Sequence, residues 1–185
     1  MTRIIGGSAG GRRFKAPDGT HTRPTSDRVR EALFSALEHE LGTLHGCRVL
    51  DLYAGSGAIG LEARSRGAAR ATLVESDRGV AAVIRSNAAA LDLGDVEVVT
   101  ARAEHWALLP GEAFDVVFVD PPYAMPGTDV RGVLTSLLTV SRLSADAVVV
   151  VERASRDPAW DWPVGIVGVR AKRYGETMLW YGHPA

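Results

Sequence analysis

The chain has 185 residues, 46% of them hydrophobic and 23% charged, a composition of one globular domain that excludes a disordered or collagen-like chain. It offers no apolar run of about 20 residues to span a bilayer and no apolar signal core at its start, so it reads as a soluble, cytoplasmic protein, by default a monomer. The net charge of −1 is uneven: residues 1–30 hold seven basic side chains against Asp18 and Asp27, a net of +5 that leaves −6 for the rest.

That basic start suggests a polyanionic partner met at one end of the molecule. Arg3 to Lys15 reads as a small β-hairpin or glycine-rich arm around Gly6, Gly7, Gly10 and Gly11. A polar loop follows, and Thr25, Ser26 or Asp27 is placed to cap a helix whose apolar positions Val29, Leu33, Leu37 and Leu41 recur every four residues up to Gly42.

From Cys47 the pattern alternates. Strand-like runs at Cys47–Leu52, Ala71–Val74, Val96–Thr100, Phe114–Val119 and Ala147–Val151 enclose predicted helices over 58–66, 77–91, 103–108 and 128–139. Short Val- and Leu-rich runs separated by helices predict a parallel sheet covered on both faces. Ile166–Val169 and Thr177–Tyr181 leave no room for a helix between them, so they predict an antiparallel hairpin at one sheet edge. The division expected is a basic arm over 1–25 and a body over 26–185.

The sharpest local signal is the passage from Asp51 through Tyr53, Gly55, Ser56 and Gly57 to Gly60, a strand entering a glycine-rich turn before a helix. Such a turn lets backbone approach a ligand, and the helix start offers free N–H groups. Glu75 ends the next strand, 20 residues after Gly55, where a carboxylate can accept from both ribose hydroxyls of an adenosine cofactor. These features fit dinucleotide dehydrogenases and S-adenosylmethionine (SAM) methyltransferases alike. Asp51, placed to approach a methionine ammonium group, and the final antiparallel hairpin favour the second. Ser76 follows the acid, Asp77 reads as a helix cap, and Arg102, Ala103 and Glu104 after the third strand are placed to hold an adenine.

The fourth strand runs into Asp120-Pro121-Pro122-Tyr123. Ligands of open parallel sheets collect at the carboxyl ends of strands, so this turn faces the same crevice as Gly55–Gly57. The exocyclic amine of a base is a poor nucleophile because its lone pair is conjugated into the ring. One Asp120 oxygen and the Pro121 carbonyl can accept its two N–H bonds, Pro121 and Pro122 stiffen the turn, and Tyr123 offers a ring for stacking. An amino methyltransferase site follows from this reading. A rigid surface turn is what the tetrapeptide would mean in isolation.

Taken together, Arg3-Ile4-Ile5-Gly6-Gly7, Gly11-Arg12-Arg13-Phe14, the block Thr22 to Phe34, the Asp51–Glu62 loop, Asp120–Tyr123 and Tyr174-Gly175-Glu176-Thr177 resemble, in order and over nearly the whole chain, the bacterial 16S rRNA guanine-N2 methyltransferase family of the RsmD type. The resemblance implies a class I methyltransferase fold: a seven-stranded, mostly parallel sheet with a C-terminal antiparallel hairpin, plus an N-terminal hairpin arm and helix. It implies SAM as donor and a G966-type guanine of 16S rRNA, in an assembled or assembling small subunit, as acceptor. Asp120 and Tyr123 would take the base, Glu75 the ribose, and Asp51 with Gly55–Gly57 the methionine side. The cations expected to meet RNA phosphates are Arg3, Arg12, Arg13, Lys15, Arg23 and Arg28.

Two rivals stay open at this point: an N6-adenine methyltransferase acting on DNA or RNA, and a nicotinamide-dependent dehydrogenase. A catalytically silent RNA-binding platform is the third. Cys47 reads as a small buried hydrophobe, and the five histidines lack ligand spacing, so no metal is expected. Trp160 and Trp162 read as edge packing, and Trp106 either lines the adenine position or closes the core.

Overall fold

The apolar runs become strands, and those at the centre of the sheet are buried on both faces. A computed structural model describes residues 2–17 and 26–185, and in it the strands β3 (Arg48–Leu52), β4 (Arg70–Glu75), β5 (Val96–Thr100), β6 (Phe114–Val119) and β7 (Leu143–Ala154) run parallel. β8 (Ile166–Tyr174) and β9 (Thr177–Pro184) close the sheet as an antiparallel hairpin. The order is β5-β4-β3-β6-β7-β9-β8. The chain leaves β3 toward one edge and returns through β6 toward the other, which opens a crevice at the carboxyl ends of β3 and β6.

The helices are α1 (Asp27–Leu41), α2 (Ala58–Ser65), α3 (Arg78–Ala90), α4 (Ala103–Trp106) and α5 (Gly127–Thr139). Ser26 caps α1 by accepting from the Val29 amide, Gly42 ends it at φ 75°, and Asp77 caps α3 through the Val80 amide. α1 and α2 cover one face of the central strands, where Leu33, Phe34 and Leu37 meet Val49, Phe118, Val148 and Val150. α4 and α5 cover the other, over Leu50, Val117, Val119 and Val149. Among the described residues no helix is long and apolar enough to cross a membrane.

Several elements differ in length from the sequence reading. β7, β8 and β9 extend beyond their apolar runs because they pair along polar residues as well, with Arg173 opposite Met178 and Arg153 opposite Met178 from the other side. α4 stops at Trp106, four residues long.

The amino-terminal segment forms the expected hairpin, β1 (Thr2–Arg3) against β2 (Arg13–Phe14). Its apolar side chains Ile4, Ala9 and Phe14 are buried with Leu61 of α2 and with Ala88 and Leu91 at the end of α3. Polar anchors reinforce the seam. Glu62, fully buried, accepts from the amides of Ile5 (2.7 Å) and Gly6 (2.8 Å) and from Arg66 Nε (2.8 Å). Asn87 exchanges two hydrogen bonds with the Lys15 backbone. Arg30, 1% exposed, donates to Thr2 Oγ1, the Arg3 carbonyl and Asp27. At Gly7, φ is +79° and an added Cβ would sit 1.8 Å from the Ser65 carbonyl oxygen, so only glycine allows this approach.

Candidate active site

The turn after β3 is a strained one. Tyr53 holds φ 63°, a left-handed conformation that a bulky residue adopts only when its surroundings enforce it. Gly55 and Gly57 follow at φ 53° and 78°. Two carboxylates hold the turn: Glu75 Oε2 accepts from the Gly55 amide (2.9 Å), and Asp51 Oδ2 accepts from the Gly60 amide in the first turn of α2 (3.0 Å). The other Glu75 oxygen accepts from the Asp77 amide (2.8 Å).

Two cavities open on this turn. The first, of about 760 Å³, is lined by Glu75, Ser76, Asp77 and Val80 on one side and by Ala101 to Glu104 with Met125 on the other. Its size and its few polar groups suit a ligand of nucleoside dimensions. The second, of about 650 Å³, lies between the arm and the sheet. Asp51, Phe118, Asp120, Pro121, Pro122 and Tyr123 form its floor and one wall; Thr2, Arg3, Arg13, Pro17 and Asp27 form the other. Pro17, Tyr53, Gly55, Asp120 and Pro122 border both.

Nearly every residue singled out for the cofactor and the transfer step therefore lies on one of two adjoining cavities. Ser56 lines the second cavity, Ser76 the first. Gly57 lies beneath the turn, where an added Cβ would meet Ile84 at 2.9 Å. Tyr123, 49% exposed, presents its ring at the mouth.

Burial sets the electrostatics of the floor. Asp51 is 2% exposed, and burial, helped by the charge of Glu75 and opposed by the Gly60 amide, pushes its carboxyl up to about 8. Asp120 is also driven well above the usual carboxylate range, first by burial and then by the charges of Glu152 and Asp51, with Arg153 opposing. Burial and the neighbouring Glu104 push the Tyr53 phenol up, so it stays neutral, with its hydroxyl 3.4 Å from Glu104 Oε1.

The expected RNA cations separate into groups. Arg3 and Arg13 line the second cavity, Arg3 bridged to Asp27 at 2.7 Å. Arg12 turns the other way and donates to the carbonyls of Ala90 and Leu91 at the end of α3. Lys15 and Arg28 are exposed, and Arg23 lies outside the described residues. Two readings need correction or completion. Cys47 is half-buried rather than buried, because it lies just before β3 begins, with Sγ facing the Thr43 carbonyl. Trp106 belongs to the core, tilted against Phe114 with Arg142 over its ring, and does not line the first cavity.

Sequence reasoning missed Glu62, Asn87, Arg30 and Met125. The first three act through partners more than 25 positions away, which no local pattern reports.

A parallel sheet whose strand order reverses at β3, an antiparallel hairpin closing it, a glycine turn held by two acids and a second cavity at the end of β6 define a class I SAM-dependent methyltransferase. The comparisons with known proteins narrow that class. The family model described as "Conserved hypothetical protein 95" matches residues 2–183. The ribosomal RNA small subunit methyltransferase D of Escherichia coli K12 is 41% identical over 154 residues, 81% of this chain and 73% of that protein. The Bacillus subtilis protein called putative rRNA methyltransferase YlbH is 36% identical over 95% of both chains. The solved structure titled putative methyltransferase yhhF from E. coli superposes with a TM-score of 0.86 at 36% identity, covering 99% of this chain and 97% of that one. The chain belongs to this family, that of the RsmD-type methyltransferases.

Proposed function

We propose that the chain transfers the methyl group of SAM to the exocyclic N2 of a guanine in small-subunit rRNA. The observation that carries this reading is the meeting of the two cavities at Asp120, Tyr53 and Gly55. A donor in the first and a base in the second would face each other across that border. The name of the E. coli relative supports small-subunit rRNA as the substrate class, and that of the B. subtilis relative supports rRNA.

The residues fit the cofactor. Glu75 retains lone pairs for two ribose hydroxyls, the carboxyl of Asp51 suits an ammonium group, and Val80, Ala101 and Met125 give the apolar walls an adenine needs. Arg102, Ala103 and Glu104 border the same wall. SAM supplies an electrophilic methyl on a sulfonium.

At the acceptor side, Asp120 and the Pro121 carbonyl would take the two N–H bonds of the amine, which localises its lone pair and aims it at the donor. Tyr123 would stack on the base, a contact worth about 1–3 kcal/mol. Reaching this floor requires the base to leave its stack, so a flipped or unpaired guanine is expected. Arg3, Arg13, Lys15 and Arg28 would neutralise phosphates around it without reading sequence.

The test is methyl transfer from labelled SAM to small subunits lacking the modification, with naked rRNA as the second substrate and mass mapping of the product. One N2-methylguanine, formed on the particle and lost in Asp120→Ala while SAM binding persists, is the expected result. Label on adenine would overturn the base assignment. Binding of NADH in place of SAM would overturn the reaction.

A further inference from the structure

The carboxylates near the acceptor floor follow a register. Side chains on a strand alternate between faces, so residues two apart share one. Val49, Phe118 and Val150 pack together on the α1 face of the sheet. Asp51 pairs with Phe118, and Phe118 with Val150. Asp51 is two residues beyond Val49, Asp120 two beyond Phe118, and Glu152 two beyond Val150. All three therefore sit on that face at the carboxyl ends of three adjacent strands.

The last β6–β7 pair is Val119 with Val151. Continued one step past that pair, the register sets Asp120 next to Glu152, whose charge acts on it. Glu152 is 4% exposed and lies behind the floor, outside the cavity lining. On its far side the Thr177 hydroxyl of β9 lies 3.4 Å from Oε1. A glutamate is an expensive residue to bury among Val148, Val150 and Leu179 unless its charge has a use.

We propose that Glu152 is a positioning residue for methyl transfer, a second buried carboxyl that stands behind Asp120 and makes it the proton acceptor for the reacting amine. The proposal rests on the reading of Asp120 as the group that receives that amine. Two carboxylates this close resist joint ionisation, so the pair takes up one proton more tightly than either would alone. As the N–CH₃ bond forms, the S–CH₃ bond breaks and its electron pair stays on sulfur. The nitrogen becomes positively charged and loses an N–H proton to an Asp120 oxygen, which relieves the repulsion from Glu152. The charged groups around Asp120 are Asp51 from β3, Glu152 and Arg153 from β7, and across the cavity Asp27 of α1 with Arg3 and Arg13 of the arm.

The experiment compares wild type, Glu152→Gln, Glu152→Asp and Asp120→Asn in single-turnover methylation of small subunits across pH, with SAM affinity and the pH dependence of thermal stability measured alongside. In the wild type, activity is lost on the acid side where Asp120 is already protonated, well above the ordinary aspartate value of about 3.9. Glu152→Gln is expected to move that limb down by about one pH unit and to slow turnover about tenfold at neutral pH with SAM affinity unchanged. Glu152→Asp is expected to keep the wild-type limb. Without ligand, the stability of the wild type is expected to fall with rising pH more steeply than that of Glu152→Gln, because only the wild type must ionise both groups.

Equal limbs and equal stability slopes in wild type and Glu152→Gln, with Asp120→Asn inactive, would overturn the role of Glu152 alone. An active Asp120→Asn would overturn the reading beneath it. Should Glu152→Gln not fold, the wild type still decides, since an acid limb at the ordinary aspartate value removes the paired carboxyl from the mechanism.

Discussion

Glu62 is the residue through which the arm is most open to attack. Its side chain is fully buried and accepts three hydrogen bonds, from the Ile5 and Gly6 amides and from Arg66 Nε. Hydrogen bonds to a charged group contribute about 1.5–3 kcal/mol each, and a donor left unpaired in a buried place costs a further 1–3 kcal/mol. Arg66 keeps Glu38 at 3.1 Å as a partner, so the uncompensated loss falls on the two amides. Glu62→Ala should therefore destabilise the arm by about 3–4 kcal/mol, a large share of the ~5–15 kcal/mol of a typical domain. Glu62→Gln should cost about half as much, since one carbonyl still serves one amide while its NH₂ opposes the other. Urea unfolding gives the global figure. Hydrogen exchange at the amides of residues 4–14 separates local release of the arm from global unfolding. The arm supplies one wall of the second cavity, so on the proposed function Glu62→Ala should also weaken binding to the small subunit far more than binding of SAM. If both variants stay within 1 kcal/mol of wild type with unchanged exchange over residues 4–14, the account of how the arm is held is wrong.

Two further outcomes follow from the turn after β3. The Asp51 carboxyl is pushed up to about 8 from an ordinary 3.8, so the folded protein holds that proton where the unfolded chain has released it, and stability falls as pH rises between those values. Asp51→Asn keeps an acceptor for the Gly60 amide and removes the charge. It should match wild type near pH 4 and exceed it by about 1–3 kcal/mol near pH 9, and parallel melting curves across that range would contradict this. Glu75→Ala removes the acceptor of both the Gly55 and Asp77 amides and should lower SAM affinity by at least about tenfold; calorimetric titration checks it, and an unchanged affinity would remove Glu75 from the cofactor site.

What the sequence discloses here is what local periodicity can carry. The apolar runs from Val49 and Phe114, the Gly55–Gly57 turn and the acids at Glu75 and Asp120 each announce themselves within a few residues. Topology then brings them to one crevice, because consecutive parallel strands put their carboxyl ends on the same side. The arm shows the opposite case. Its glycines and arginines are visible, yet they do not say that Arg12 closes the end of α3 while Arg13, its neighbour, faces the cavity. The difference falls at the edge of β2, a strand only two residues long that begins at Arg13 and leaves Arg12 outside it. Glu62 and Asn87 look like ordinary polar positions on amphipathic helices until the partner chain segment, dozens of residues earlier, is laid across them. Glu152 is hidden for a related reason: one acid after a run of valines reads as the end of burial, whereas β9 covers it.

The shared border of the two cavities has a pharmacological consequence. Pro17, Tyr53, Gly55, Asp120 and Pro122 belong to both, so the two cavities adjoin along these five residues. A single molecule joining a nucleoside-like half to a purine through a short spacer would occupy both at once. The second half would then bind at the effective concentration set by that spacer, in the millimolar range for a short flexible one. Either half alone would resemble ligands of many methyltransferases and nucleotide proteins. Their combination at this separation, against a wall contributed by an amino-terminal hairpin, would select for chains built like this one.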